Sequence, residues 1–229
     1  MLYLGVAAAL IPMKTPFKQA KFDPAPGIIG FFADMVDGFK YLWKKQRVLA
    51  LMIGLSSAPN IVCHPVLFLL PMFTAVVLQQ GPDFGGYFMA VNGAGGLAMV
   101  FLLSAFGFPK KRGMACLIAA LASAVLTLAL SQSIWMPLAF IVLAFFGATQ
   151  TMFRTTNGVL TQILTDDEYR VRVTSVYRIV MGMVIFFSLA IGWFADSTSP
   201  RWALAAMGLF GIIISLIFLM GSKRIREQE

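Results

Sequence analysis

The chain has 229 residues, 59% of them hydrophobic and only 12% charged, with a mean hydropathy of +0.82. A soluble domain carries about 25% charged residues, enough to keep its surface polar. Composition therefore makes a water-soluble enzyme, a nucleic-acid-binding domain and a disordered tail all poor readings. The net charge of +8 points instead to basic loops on one side of a bilayer, with no nucleic-acid partner.

The chain opens on Met1–Met13, an apolar stretch of 13 residues. At 1.5 Å per residue it reaches about 20 Å, short of a bilayer core of about 30 Å. It lacks the basic start and small-residue cleavage site of a signal peptide, and reads as the end of a truncated transmembrane helix. Residues 14–47 form a linker. Its first part, KTPFKQAKFDPAP, is polar, proline-bearing and expected to be extended. From Gly27, apolar residues recur at spacings of three and four (Ile28, Phe32, Met35, Val36, Phe39, Trp43), with Asp34, Asp37, Lys40 and Lys44 on the other face. That pattern predicts an amphipathic helix, either a structural joint or a lipid-contacting element on the cytoplasmic surface.

Residues 48–229 hold six stretches long enough to span a bilayer. They are Val48–Val77, Gly85–Phe106, Met114–Leu130, Ile134–Phe153, Val176–Phe194 and Trp202–Met220. The fold class is thus an all-α, multi-pass membrane protein that contacts the lipid bilayer directly. In an alternating six-span arrangement, 17 of the 18 basic residues fall on one side, Arg201 being the exception. Cytoplasmic loops are enriched in Lys and Arg, so both ends of the six-span unit, including the C-terminus, are expected in the cytoplasm.

Polar groups within spans are costly and usually face a cavity or another helix. The first span contains SSAPNIVCHP, where Pro59 and Pro65 each remove a backbone donor. Broken membrane helices often border transport sites. Asn60 and His64, four residues apart, share a face there, and either line a cavity or bond to neighbouring helices. The second span carries Asn92-Gly93-Ala94-Gly95-Gly96. Such small residues favour close helix packing, and flexibility is the alternative. Asn92 either lines a cavity or bridges two helices. In the fourth span Gln150, Arg154, Asn157 and Thr161 form one polar stripe running towards the cytoplasm, with Gln150 and Arg154 the better cavity positions. Tyr177 and Arg178 open the fifth span, where Arg178 either snorkels to the interface or lines a pore mouth.

Cys63 and Cys116 are predicted at different depths, as small buried hydrophobes and not a disulfide. With His64 the only histidine, no His-based metal cluster is expected. There is no phosphate-binding Gly-rich motif and no acid deep in a span. No cofactor and no enzymatic activity are expected. The absence of an intramembrane acid beside Arg154 and Arg178 leaves room for an anionic substrate.

Six spans with cytoplasmic ends, preceded by a basic linker and the tail of another helix, resemble the second half of a major facilitator superfamily transporter. DGFKYLWKKQRVLALMIGL is similar to the start of the seventh helix in bacterial enterobactin-exporter-like and drug-efflux-like members. HPVLFLLPMFTAVVL also fits that subgroup. The most specific stretch runs from Asn157 and Gln162 through Arg170-Val-Arg172-Val-Thr-Ser-Val-Tyr177 to Gly192-Trp-Phe-Ala-Asp196. It resembles the tenth-to-eleventh helix region, although Val171 stands where the subgroup commonly has Gly. FGFPKKRGMA keeps the basic cluster of the superfamily's loop motif without its Asp.

The resemblance implies a secondary transporter in the bacterial cytoplasmic (inner) membrane, working by alternating access on a small-molecule substrate. It also implies an N-terminal six-helix half, or a second copy, to complete the cavity. On that reading Asn60, His64, Asn92, Gln150 and Arg154 are the substrate-cavity positions. Asn157, Gln162, Arg170, Arg172, Tyr177 and Arg178 are the cytoplasmic gate or loop positions. The alternative is a truncated or non-transporting membrane interaction protein.

Overall fold

The computed structural model describes residues 47–81, 83–166 and 169–226, without the side chains of residues 171, 172, 223 and 224. The Met1–Met13 segment and nearly all of the linker with its amphipathic helix lie outside the described residues.

The described residues are helical and contain no strand. Six helical units are long and apolar enough to cross a membrane: Arg47–Val76, Phe84–Phe106, Arg112–Gln132, Met136–Leu164, Val173–Ser197 and Pro200–Gly221. The expected spans are therefore all present, with ends shifted by a few residues except in the fourth, whose helix runs on from Phe153 to Leu164. The exterior is that of an integral multi-pass membrane protein. Large apolar side chains such as Phe101, Phe186, Trp193 and Ile217 stand exposed along the helices, where a soluble protein would place charges.

The first unit is broken. Helix α1 (Arg47–Leu55) passes into a wide π-helical stretch (Ser57–Cys63) and then into α2 (Val66–Val76). Pro59 cannot donate to a carbonyl in the preceding turn, and Pro65 repeats the loss six residues on. Two serine hydroxyls bond back just before the break: Ser57 Oγ donates to the Gly54 carbonyl at 2.7 Å, which a π-register donor at position 59 would otherwise serve, and Ser56 Oγ donates to that of Ile53 at 2.6 Å. With no water in a bilayer core, a freed carbonyl has to find such an internal donor.

The rest of the bundle is regular. Helix α3 (Phe84–Phe106) ends at Gly107, whose φ of 78° an L side chain would resist. Helices α4 (Arg112–Gln132) and α5 (Met136–Leu164) are joined by a three-residue turn, Ser133–Trp135, and so run antiparallel. Helix α5 has 29 residues, about 43 Å at 1.5 Å per residue, so it projects beyond the hydrocarbon as its polar stripe predicts. Helix α6 (Arg170–Ser197) is followed by α7 (Pro200–Gly221). The start of α7 is set by Pro200 at its first position and by Ser199, whose hydroxyl accepts from the Arg201 amide at 3.3 Å. A short α8 (Lys223–Arg226) closes the described chain.

The core is layered along the bundle. Met52, Leu55, Cys116, Leu117, Phe153, Leu160 and Ile225 pack together at the end of the bundle that carries Arg47 and Arg112. Cys63, Leu70, Phe73, Phe88, Leu130, Leu143 and Leu204 belong to the larger cluster towards the other end. The two buried free cysteines thus fall in different layers, as expected.

Two crossings are made possible by glycine. A Cβ on Gly95 would lie 1.9 Å from the Ala144 carbonyl oxygen, and one on Gly147 would lie 1.9 Å from that of Asn92. Helices α3 and α5 therefore touch backbone to backbone over a full turn, the close packing that the Asn92–Gly96 segment predicts. Between α4 and α7, a Cβ on Gly208 would meet the Leu128 backbone nitrogen at 2.6 Å.

Candidate functional site

Polar side chains meet where α5 passes the broken unit. Gln150 and Arg154 are one helical turn apart and point the same way. Gln150 Nε2 donates to the Pro59 carbonyl at 2.8 Å, and Arg154 Nε donates to Asn60 Oδ1 at 3.0 Å. Two successive residues of the π stretch are thus tied to α5. Asn60 is oriented by a second bond, from its Nδ2 to the Ser56 carbonyl at 3.2 Å. Pro59 accepts through its backbone carbonyl and Asn60 through its side chain, so both bond to the same face of α5.

A pocket of about 400 Å³ opens beside this contact. His64, Asn92, Gln150, Thr151 and Arg154 supply its polar lining, while Leu67, Leu97, Val100 and Phe146 supply apolar walls. Glycines 93, 96 and 147 form part of its floor. Four of the five expected cavity positions are brought together here. The fifth, Asn60, is buried behind Arg154 and does not line the pocket.

Unsatisfied polar atoms lie in and around the pocket. Gln150 Oε1 and Asn92 Oδ1 are buried and lack a hydrogen-bond partner. Arg154 uses only Nε within the protein, so its two terminal amino groups have no partner among the described residues. The described acidic residues lie at helix ends: Asp83 before α3, Asp166 after α5 and Asp196 near the end of α6. None lines the pocket. His64 is half-buried and sits edge-on to Phe68, with ring centroids 6.4 Å apart.

The expected gate residues spread over two places. Asn157 is fully buried beside Tyr177 of α6, with both carboxamide atoms lacking a well-aligned hydrogen bond. Arg170 and Arg178 line a second hollow of about 330 Å³ with Thr174 and Ser175. Gln162 is exposed near the end of α5. The Arg172 side chain lies outside the described residues. Among the described residues no group of three or more His, Cys, Asp or Glu is placed to hold a metal ion.

Sequence reasoning passed over Thr151 and Gly147. Both continue the α5 face that carries Gln150 and Arg154, at spacings of three and four, so the periodicity held the signal. Thr151 reaches across to α3, where its Oγ1 would lie 2.6 Å from a Cβ on Gly96. The exposed hydrogen bond from Arg201 to Gln132, at 3.1 Å, joins α7 to the end of α4 and had no signature in the sequence.

Comparison with family models, with curated proteins and with solved structures yields no match for this chain.

Proposed function

We propose that the chain is the C-terminal six-helix half of a major-facilitator-type secondary transporter, a small-molecule exporter of the bacterial cytoplasmic membrane with its C-terminus in the cytoplasm. The observation that carries this reading is the pocket itself. A concavity bearing Arg154, His64, Gln150 and Asn92 opens on the side of an otherwise apolar bundle. Such a surface is costly against lipid and requires protein or water over it.

The distribution of burial supports a missing neighbour. The most apolar windows of the first and third units are 61% and 56% buried, but those of Phe84–Phe106 and Val173–Ser197 only 17% and 6%. Helix α3, one of these two, also forms a wall of the pocket. A second six-helix half, on the same polypeptide, on another chain or as a second copy, would cover this side and complete the cavity. Alternating access then exposes the pocket to one side of the membrane at a time.

The test is transport by proteoliposomes holding the chain together with such a half. Accumulation of a labelled solute that is lost on changing Asn60, His64, Asn92, Gln150 and Arg154 together to Ala is the expected result. A stable membrane product that moves no solute, and whose gene has a stop codon directly upstream of Met1, would favour a non-transporting membrane protein.

A further inference from the structure

The pocket's lining is specific enough to name a class of ligand. We propose that it binds an organic monoanion with an apolar body, the anionic group meeting Arg154 and the body lying against the apolar wall.

Two observations support the assignment. The first is the way Arg154 is held. Its Nε bond to Asn60 aims the guanidinium and leaves both terminal amino groups without a hydrogen-bond partner among the described residues. A guanidinium presents its donors in a planar fork that matches a carboxylate. No acidic side chain lines the pocket, so the counter-charge is left for a ligand to bring. The second is the apolar remainder of the wall, Leu67, Leu97, Val100 and Phe146, which suits a hydrophobic or aromatic body and disfavours inorganic anions.

The assignment takes its physiological meaning from the transporter reading, but it is tested by binding. The full chain in lipid nanodiscs is titrated with dansylglycine, a fluorescent carboxylate with an aromatic body, and with its neutral amide. Signal from empty nanodiscs is subtracted. The expected result is saturable binding of the carboxylate, with the amide at least about tenfold weaker. Arg154→Gln should weaken the carboxylate about tenfold or more and leave the amide unchanged, with Arg154→Lys intermediate.

Location is read independently. A Cβ on Gly93 has nothing within 4 Å and Gly93 lines the pocket, so Gly93→Cys places a thiol on its wall. Dansylglycine should slow maleimide labelling of that thiol, and the amide should not. Equal binding of the two probes, no saturable binding of either, no effect of Arg154→Gln, or no protection at position 93 would each overturn the assignment. Saturable, Arg154-dependent binding without transport in proteoliposomes would remove the transporter reading and leave the anion site standing. Transport of neutral solutes alone, indifferent to Arg154→Gln, would do the reverse.

Discussion

Replacing Gly147 by alanine tests the packing on which the pocket depends. The added Cβ would sit 1.9 Å from the Asn92 carbonyl oxygen and 2.9 Å from its Oδ1. Real Cβ contacts essentially never fall under 3.0 Å, so α3 and α5 must part by about 1.1 Å at this point. A gap of 0.5–1 Å already forfeits about a quarter to a half of each dispersion contact. The obstacle is backbone on a rigid helix, which cannot rotate aside as a flexible side chain would. Overpacking of this kind costs about 1–3 kcal/mol, and a backbone obstacle sets the expectation at roughly 3 kcal/mol. For a chain of this size, that lowers the unfolding midpoint by about 6–12 °C. The control is Gly93→Ala on the same stretch of α3. Its Cβ meets nothing within 4 Å, and its helix propensity improves by about 1 kcal/mol, so its midpoint should hold or rise slightly. Both variants are measured by thermal unfolding in the same lipid nanodiscs. A midpoint for Gly147→Ala within about 2 °C of the parent protein, a loss of no more than about 1 kcal/mol, would refute a backbone-to-backbone crossing at this position.

Gln150→Leu conserves volume but leaves the Pro59 carbonyl without the donor now 2.8 Å away, and should lower stability by about 1–3 kcal/mol in the same unfolding assay. Arg154→Gln removes a more exposed group and should cost under about 1 kcal/mol, so comparable losses for the two would contradict the burial difference between them. Sidedness is tested with Lys111→Cys and Trp135→Cys, at opposite ends of α4, both predicted to react with an impermeant maleimide from opposite faces of sealed vesicles while the buried native cysteines stay silent; labelling of both from one face would refute the topology. Gln132→Ala breaks only the exposed contact with Arg201 and should change the midpoint by no more than the equivalent of about 0.5 kcal/mol, a larger fall showing that this pair pins α7 to α4.

The spans were legible in the sequence because a bilayer imposes a minimum apolar length, and the six units fall where that length is met. The break in the first unit was legible from Pro59 and Pro65, but its π form was not, since a proline removes a donor without dictating how the turn widens. The α5 stripe was read as one polar face, and the bundle divides it. Asn157 is buried beside Tyr177 of α6, whereas Gln150 and Arg154 meet the π stretch and the pocket. That division was invisible because the partners lie 91 and 94 residues away, and local periodicity fixes a face without fixing what covers it.

The sequence posed a choice for each of these side chains between lining a cavity and bonding to a neighbouring helix. The geometry shows that the choice was too coarse, because a multi-atom polar group can do both. Gln150 has a donor end and an acceptor end: the donor ties α5 to Pro59, and the acceptor is left buried and unpaired. Arg154 commits Nε to Asn60 and leaves its terminal amino groups open. The bond that fixes each side chain also sets the direction of its remaining atoms, so the structural contact is what preorganises the open one. A shorter residue such as Ser, with one hydroxyl, would spend that group on its own helix carbonyl, as Ser56, Ser123 and Ser188 do here. Only the longer amide and guanidinium groups can hold the π stretch in place and still present unpaired polar atoms beside it.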